Sequence, residues 1–365
     1  MKSFFKKYIP LILPITLVFA LCAWILLDAS AKNPSIADTV SGGIGSDIRR
    51  AMAYITNPVH ISLAELFVIA LVIGVIALTA VSVVLVRTAR IRVRIICFIL
   101  SFAFFMYSWY AVAFGVSYHT SPINKKMGFE LANVDEASLD GLALYLVGEI
   151  NSLASLLTSE GGTSKMDCDL RQMSEKINSA YSEFYKDYPF FEPFDSYIKP
   201  VMLSEAMAYS NLLGMYTYYS GEANISSVYP DYCIPAAAAH EFAHQRGVAR
   251  EDEANFLAYA VSSYSDDPYI KYSGYLNLFE YLISAIAITN AERARELNSM
   301  LDTLVLNDRR AYAEFYYAHK CTWLEDIASF FNDTYLRANG TPGVVSYGMV
   351  VRLSVSYYKS LGIIE

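Results

Sequence analysis

The sequence predicts a mainly α-helical protein, with three membrane-spanning helices at its N-terminus and a larger helical domain after them. The 365 residues are 55% hydrophobic and 14% aromatic, which is too apolar for an ordinary soluble domain. The long apolar runs are confined to the first third of the chain, and the rest shows apolar residues at helical spacing. We therefore divide the chain into a membrane part, residues 1–117, and a helical domain, residues 118–365.

The membrane part contains three apolar runs, each close to the roughly 20 residues that a helix needs to cross a bilayer. They cover about residues 9–27, 65–86 and 95–116, and the segment between the first two is expected to be a loop. A cleaved signal peptide is the alternative for the first run, since lysines precede it and small residues follow it. The run is, however, longer than the usual apolar core of about 7–15 residues.

Basic residues beside these runs predict the orientation, because short cytoplasmic flanks are rich in Lys and Arg. Two flanks carry them: Lys2, Lys6, Lys7, Arg87, Arg90, Arg92 and Arg94. Three crossings then place the N-terminus in the cytoplasm and the helical domain outside it, in a multi-pass protein of the plasma membrane. The net charge of -8 argues against nucleic acid as a partner, because phosphate contacts need a basic surface.

The second domain is predicted to be a succession of helices separated by turn-rich segments. The predicted helices cover residues 135–157, 168–185, 203–218, 235–246, 250–264, 270–288, 291–329 with a break, and 344–361. Cys168, Cys233 and Cys321 lie in this domain and allow one disulfide, but three is an odd number and the sequence does not choose a pair.

A His-Glu-x-x-His motif lies on the predicted helix 235–246. His240 and His244 are four residues apart, so their imidazoles share one helical face and can reach the same metal ion. Neutral imidazole is a zinc ligand, and a catalytic zinc site keeps one position for water. Glu241 is placed to act as general base toward that water. The pattern predicts one Zn²⁺ per chain and hydrolysis of an amide bond.

A third protein ligand is expected from the acidic residues that follow Gly247, where a second helix begins. Glu253 is the expected ligand, and Glu251 is its main competitor. Weaker candidates for the substrate cleft are Glu222, Asn224 and His319. A polar surface turn is the ordinary explanation for the first two, and a surface or core histidine for the third.

At the motif and the acidic segment the chain resembles the membrane proteins of domain-of-unknown-function family 3810, relatives of gluzincin-type zinc peptidases. The resemblance rests on residues 240–247 and 251–256, with further similarity at Lys199-Pro200, Ser204 and 221–224. It implies a zincin-like metallopeptidase domain in which two histidines and a glutamate bind zinc. In gluzincins that glutamate usually belongs to a Glu-Ala-Asn or Glu-Ala-Asp sequence, which implies Glu253 here.

These patterns together predict a membrane-bound zinc metallopeptidase whose partners are the lipid bilayer and a peptide or protein substrate at the outer membrane surface. One alternative is a non-catalytic binding or sensor module that contains a metal, with Cys233 as a fourth ligand. A membrane scaffold without metal is a second alternative. An intramembrane protease is a third, and the position of the motif far along the chain from any apolar run argues against it.

Overall fold

A computed structural model describes residues 10–84, 88–341 and 347–364. Lys2, Lys6, Lys7 and Arg87, four of the basic residues used to predict the orientation, lie outside the described residues. The described chain is mainly helical, which confirms the predicted class.

Three helices near the N-terminus are long and apolar enough to cross a membrane, as predicted. They are α1 (Ile12–Lys32), α4 (Leu63–Val84) and α5 (Ala89–Ala113). Helix α5 begins earlier than predicted, so its first two turns carry Arg90, Arg92 and Arg94. It ends at Ala113, where a 3-10 turn, Gly115–His119, leads into the second domain.

The segment between α1 and α4 is helical, so the prediction of a loop there is wrong. It forms α2 (Pro34–Val40), a kink at Gly43 within Ser41–Gly45, and α3 (Ser46–Thr56). Arg49 of α3 is buried, and its guanidinium donates to the carbonyl oxygens of Ser41 and Ala113 at 2.8 and 3.0 Å. Buried carbonyl groups need such donors, so this side chain fastens the helical segment to the end of α5.

The second domain follows the predicted series of helices, with shifted ends. Its helices are α6 (Ile123–Lys126), α7 (Glu136–Ala154), α8 (Leu170–Asp187), α9 (Ser204–Tyr209), α10 (Cys233–Gln245), α11 (Glu251–Ser262), α12 (Pro268–Thr289), α13 (Ala291–Ser299), α14 (Thr303–His319), α15 (Thr322–Ala338) and α16 (Tyr347–Ser360). The predicted helix 291–329 is thus three helices. All five cysteines are free thiols.

In the part of the chain that the structure describes, five short strands interrupt the helices, and the sequence analysis did not predict them. A two-stranded ribbon joins β1 (Ser159–Glu160) and β2 (Thr163–Ser164). A three-stranded sheet has the order β3-β5-β4, formed by β3 (Lys199–Pro200), β4 (Gly214–Thr217) and β5 (Glu222–Ile225). Strand β5 pairs in parallel with β3 and antiparallel with β4, which leaves β4 at the edge of the sheet.

The predicted helix 203–218 is wrong beyond Tyr209. Asn211 adopts a φ of 53°, a left-handed conformation that Asn tolerates better than most residues and that a helix cannot contain. The chain reverses there and continues as β4, which packs with β5 against α10. The sheet thereby places an extended edge strand beside the helix that carries the histidines.

Candidate metal centre

Helix α10 carries the two histidines on its side toward α11. Its first turns contain the buried residues Ala236, Ala238 and Ala239. These small side chains allow the sheet and neighbouring helices to approach closely. The His240 and His244 rings lie with centroids 4.5 Å apart and nearly perpendicular to each other. The predicted sharing of one face by the two imidazoles is therefore present.

Glu251, the first residue of α11, lies beside both histidines. Its carboxylate oxygens are 3.2 Å from Nε2 of His240 and 3.5 Å from Nε2 of His244. One ligand atom from each of the three residues lies within 4.8 Å of the other two. Two imidazole nitrogens and one carboxylate are a donor set that zinc accepts.

Glu253, the ligand preferred from the sequence, points away from this cluster. Its carboxylate accepts hydrogen bonds from the backbone N–H of Ile123 at 2.8 Å and from the guanidinium of Arg250. Successive helical residues are rotated by about 100°, so two residues in one turn that differ by two positions face different directions. The packing of α11 turns Glu251 toward α10 and leaves Glu253 to join α11 to α6. The cluster beside the two histidines therefore contains Glu251 in the place expected for Glu253.

The tautomer of His244 follows from its hydrogen bond. Nδ1 lies 2.8 Å from the carbonyl oxygen of Val248, which can only accept, so Nδ1 carries a ring proton and Nε2 is the nitrogen turned toward Glu251. Such a second contact fixes the orientation of a metal-binding imidazole. Burial lowers the pKa of His244, but the neighbouring Glu251 outweighs it and raises the pKa to about 9.

The carboxylate of Glu251 experiences the reciprocal effect. Burial raises its pKa, whereas His244 and His240 together lower the pKa well below the usual value for Glu. The two imidazoles therefore favour an ionised carboxylate between them. An anionic oxygen and two nitrogen donors at one point are the charge arrangement that a divalent cation requires.

Glu241 is buried next to this cluster. Its carboxylate packs on Gly214 of β4, where a Cβ would lie 2.8 Å from Cγ of Glu241. Among the described residues its Oε2 has no hydrogen-bond partner, although it is buried. Burial raises the pKa of Glu241, while the two histidines lower it. An unpartnered buried carboxylate oxygen beside three candidate ligands suits a water molecule or a substrate group between them.

A cavity of about 840 Å³ opens over His240, Glu241 and Glu251. Residues Leu213 and Gly214 at the edge strand form one side, and helix α14 contributes a second side with Leu306, Arg309, Arg310, Tyr312 and Ala313. Cys233 also lines this cavity, but it does not belong to the cluster of candidate ligands.

The three weaker cleft candidates lie elsewhere, and none of them lines this cavity. Glu222 is buried and accepts hydrogen bonds from the backbone N–H groups of Leu63 and Ala64, at the start of α4. Asn224 is buried within β5, and His319 binds Glu205 through Nε2 at 2.9 Å. The structure assigns these residues to packing between elements.

The candidate centre lies directly against the end of α5, although the motif is distant from it along the chain. The ring of Phe114, which follows α5, meets the His244 ring edge-to-face with centroids 6.0 Å apart. Sequence separation therefore gave a misleading impression of distance. Neither Phe114 nor Gly214 was singled out from the sequence, because nothing local to either residue marks its contact with the motif.

The chain matches the family model described as "Protein of unknown function (DUF3810)" over residues 41–355. That match covers the chain from Ser41 through α3, two of the apolar helices and nearly all of the second domain. No curated protein matches the chain, and no solved structure matches it. The description of the family assigns no activity, so the chemistry rests on the geometry of the site.

Proposed function

The chain belongs to the DUF3810 family, and we propose that it is a membrane-bound zinc metallopeptidase with a zincin-like arrangement of helix and edge strand. One observation carries the proposal: His240, His244 and Glu251 converge within 4.8 Å beside the buried carboxylate of Glu241. A structural zinc site usually has four protein ligands and needs no base, whereas three ligands with an adjacent base fit catalysis. We propose His240, His244 and Glu251 as the ligands of one zinc ion.

The proposed reaction is hydrolysis of a peptide bond. Zinc in this position would supply a Lewis acid that polarises the scissile carbonyl and makes a water more acidic. Glu241 would accept the proton of the attacking water and pass it to the departing nitrogen. Burial raises the pKa of Glu241, which supports both halves of that role, because a carboxyl group with a raised pKa takes up a proton more readily and can then pass it on.

The edge strand supports an extended peptide as substrate. Strand β4 pairs with β5 on one side, and its residue Gly214 borders the cavity together with Leu213. A peptide can add to such an edge through main-chain hydrogen bonds, which bring its carbonyl groups past the neighbouring helix. We propose that the substrate binds along β4 in this way, above His240 and Glu241.

The proposed location is the outer face of the plasma membrane. The domain follows the Ala113 end of α5, and Arg90, Arg92 and Arg94 lie at the opposite end of that helix. Cationic flanks favour the cytoplasmic side, so the domain would lie outside the cytoplasm, with its substrate at the membrane surface.

The decisive experiment compares zinc content in the detergent-solubilised full chain and in two variants, Glu251→Gln and Glu253→Gln. We expect one zinc per wild-type chain. Loss of an outer-shell partner already lowers metal affinity by about 10–100-fold, so loss of a ligand in Glu251→Gln should lower it further. Glu253→Gln is the matched control, two residues away on the same helix, and should keep its zinc.

Two outcomes would overturn parts of this proposal. A folded wild-type chain that does not bind zinc would exclude a zinc metallopeptidase activity. Zinc lost in Glu253→Gln but retained in Glu251→Gln would reverse the ligand assignment. Stoichiometric zinc without cleavage of any member of a quenched fluorescent peptide library would instead support the alternative, a metal-containing binding or sensor module.

A further inference from the structure

Helix α15 carries an apolar face that no part of the described chain covers. Trp323, Phe330 and Phe331 are 63%, 67% and 66% exposed, and Ile327 is 48% exposed. These positions recur at i, i+4, i+7 and i+8, so they form one continuous stripe along the helix. Large aromatic side chains in such a stripe are uncommon on surfaces that face only water.

The opposite side of α15 holds it to the domain. Leu336 is its one buried residue, and it packs with Phe114 and Tyr118 at the end of α5. Leu336 is five positions from Phe331, which rotates it by about 140° around the helix axis. The stripe therefore faces away from the protein core.

The C-terminal end of α15 lies at the level of the end of α5. The hydroxyl of Tyr110, in the last turn of α5, is hydrogen-bonded to Oδ1 of Asn339, which follows α15. The Tyr110 and Tyr335 rings are also in contact, with centroids 6.1 Å apart. Tyr110 belongs to a helix able to cross a membrane, so this end of α15 lies at the membrane boundary.

The N-terminal end of α15 is linked to the N-terminal end of α4 through α14 and α9. His319, two residues before Cys321 and the start of α15, binds Glu205 of α9. The chain just before α9 is attached to α4, because the N–H groups of Met202 and Leu203 donate to the Glu65 carboxylate at 2.8 and 2.9 Å. Glu65 lies in the first turn of α4. The C-terminal end of α15 is thus attached at this boundary directly, and its N-terminal end is linked to it through α14 and α9, which sets the helix along the membrane plane.

We propose that α15 is an interfacial helix whose stripe is buried among the acyl chains of the leaflet at which α5 ends. The occupant of the stripe is lipid, because α15 meets the last turn of α5, and both α4 and α5 are apolar helices able to cross a membrane with exposed apolar side chains. Trp323 suits that depth, since its ring is apolar and its N–H can remain hydrated. Met202 and Leu203, each 56% exposed beside Glu65, extend the same layer.

This placement has a consequence for the cavity. Helix α14 ends at His319 and α15 begins at Thr322, so the two helices are almost continuous along the chain. Leu306, Arg309 and Tyr312 of α14 form one side of the cavity. The bilayer therefore holds one wall of the cavity in place through α15, whichever reaction the cavity serves.

The test uses the full chain reconstituted in phosphatidylcholine vesicles, with Trp24→Phe and Trp109→Phe so that Trp323 is the single tryptophan. Lipids brominated in the upper part of the acyl chain should quench its fluorescence strongly, and aqueous iodide should quench it weakly. Phe330→Glu with Phe331→Glu should reverse this order, with a several-fold rise in iodide quenching. Ser329→Glu with Asn332→Glu is the matched control, because both residues are exposed but lie on the side opposite the stripe, and it should leave the order unchanged.

Strong iodide quenching with no effect of brominated lipid would overturn the proposal, since it would place Trp323 in water. Protection from both quenchers would also overturn it, because the stripe would then be covered by protein, such as a second copy of the chain. If the double Trp variant does not fold, the same quantities follow from the difference between the wild-type chain and Trp323→Phe. Neither reading depends on zinc binding or on peptidase activity.

Discussion

Helices α11 and α15 both carry apolar side chains at helical spacing, but they use them in opposite ways. Helix α11 buries nine of its 12 residues, whereas α15 buries only Leu336 among its 17. The first is enclosed by α10, α12 and α16 and presents Glu251 to the histidines. The second is attached at its C-terminal end and leaves its aromatic stripe uncovered.

The difference shows that apolar spacing identifies a helix face but not the medium that covers it. Neighbouring side chains decide that question. The small alanines of α10 permit close packing on protein, while α15 offers bulky aromatic rings with no matching groove in the described chain. If this contrast is correct, changes in the enclosed region should alter activity and stability strongly, and changes on the stripe should alter neither in detergent.

The largest effect is expected for Glu241→Gln. A general base contributes about 10²–10⁴-fold to a hydrolytic rate, and the amide cannot accept the proton of water. Cleavage of a fluorescent peptide substrate should fall by that factor, while zinc content stays at the wild-type value because Glu241 is not a proposed ligand. Wild-type activity in the variant would show that Glu241 is not the general base and would contradict the mechanism.

Arg246→Ala should strongly destabilise the C-terminal end of α10, the helix that carries the histidines. Its buried guanidinium donates to Oδ1 of Asn178 and the carbonyl oxygen of Phe194, both at 2.8 Å, and lies 4.1 Å from the Tyr181 ring centroid. Loss of the side chain leaves two buried acceptors without donors and opens a void, so we expect about 3 kcal/mol less unfolding free energy. Chemical denaturation in detergent measures this, with the exposed Arg295→Ala as control.

The position of the candidate site was predictable from the sequence, but the carboxylate that the structure places beside its two histidines was not. The His-Glu-x-x-His spacing fixes two imidazoles and the base on one helical turn, whatever surrounds them. Glu251 and Glu253 both begin a helix, and which of them faces α10 depends on how α11 packs. That packing involves Ile123, more than a hundred residues away in the chain, whose N–H binds Glu253. The family resemblance implied Glu253 for the same reason. It compares amino-acid sequences, and these do not show how α11 is rotated about its axis.

The fold shows the same division between local and tertiary information. Long apolar runs predicted the three membrane-spanning candidates, because 20 apolar residues have few alternatives. The three-stranded sheet escaped prediction, because strands of two to four residues contain too little alternation to detect. The helices at residues 34–56 escaped because their main anchor, Arg49, is a charged residue whose burial depends on the carbonyl groups of a distant helix end.

Gly214→Ala should have an intermediate effect on activity. The new methyl group would overlap the Glu241 carboxylate, which must then move away from the position beside the histidines. A displaced catalytic group commonly costs between tenfold and a hundredfold, so we expect a loss of about tenfold with zinc retained. Strand β4 contains no second glycine. Thr217→Ala on the same strand therefore serves as the control, since Thr217 does not line the cavity. An equal loss in both variants would indicate damage to β4 as a whole.

The smallest effect on stability is expected for Phe330→Ala, on the stripe. We compare it with Phe256→Ala, on α11. Phe256 of α11 is fully buried, and its truncation should cost about 3–5 kcal/mol because it leaves a cavity among packed side chains. Phe330 is 67% exposed, so its loss in detergent should change the unfolding free energy by less than about 0.5 kcal/mol. The two rings differ only in what covers them, and chemical denaturation in detergent compares them directly. A cost at Phe330 comparable to that at Phe256 would mean that protein, rather than lipid or detergent, packs against α15, and the contrast between the two helices would then disappear.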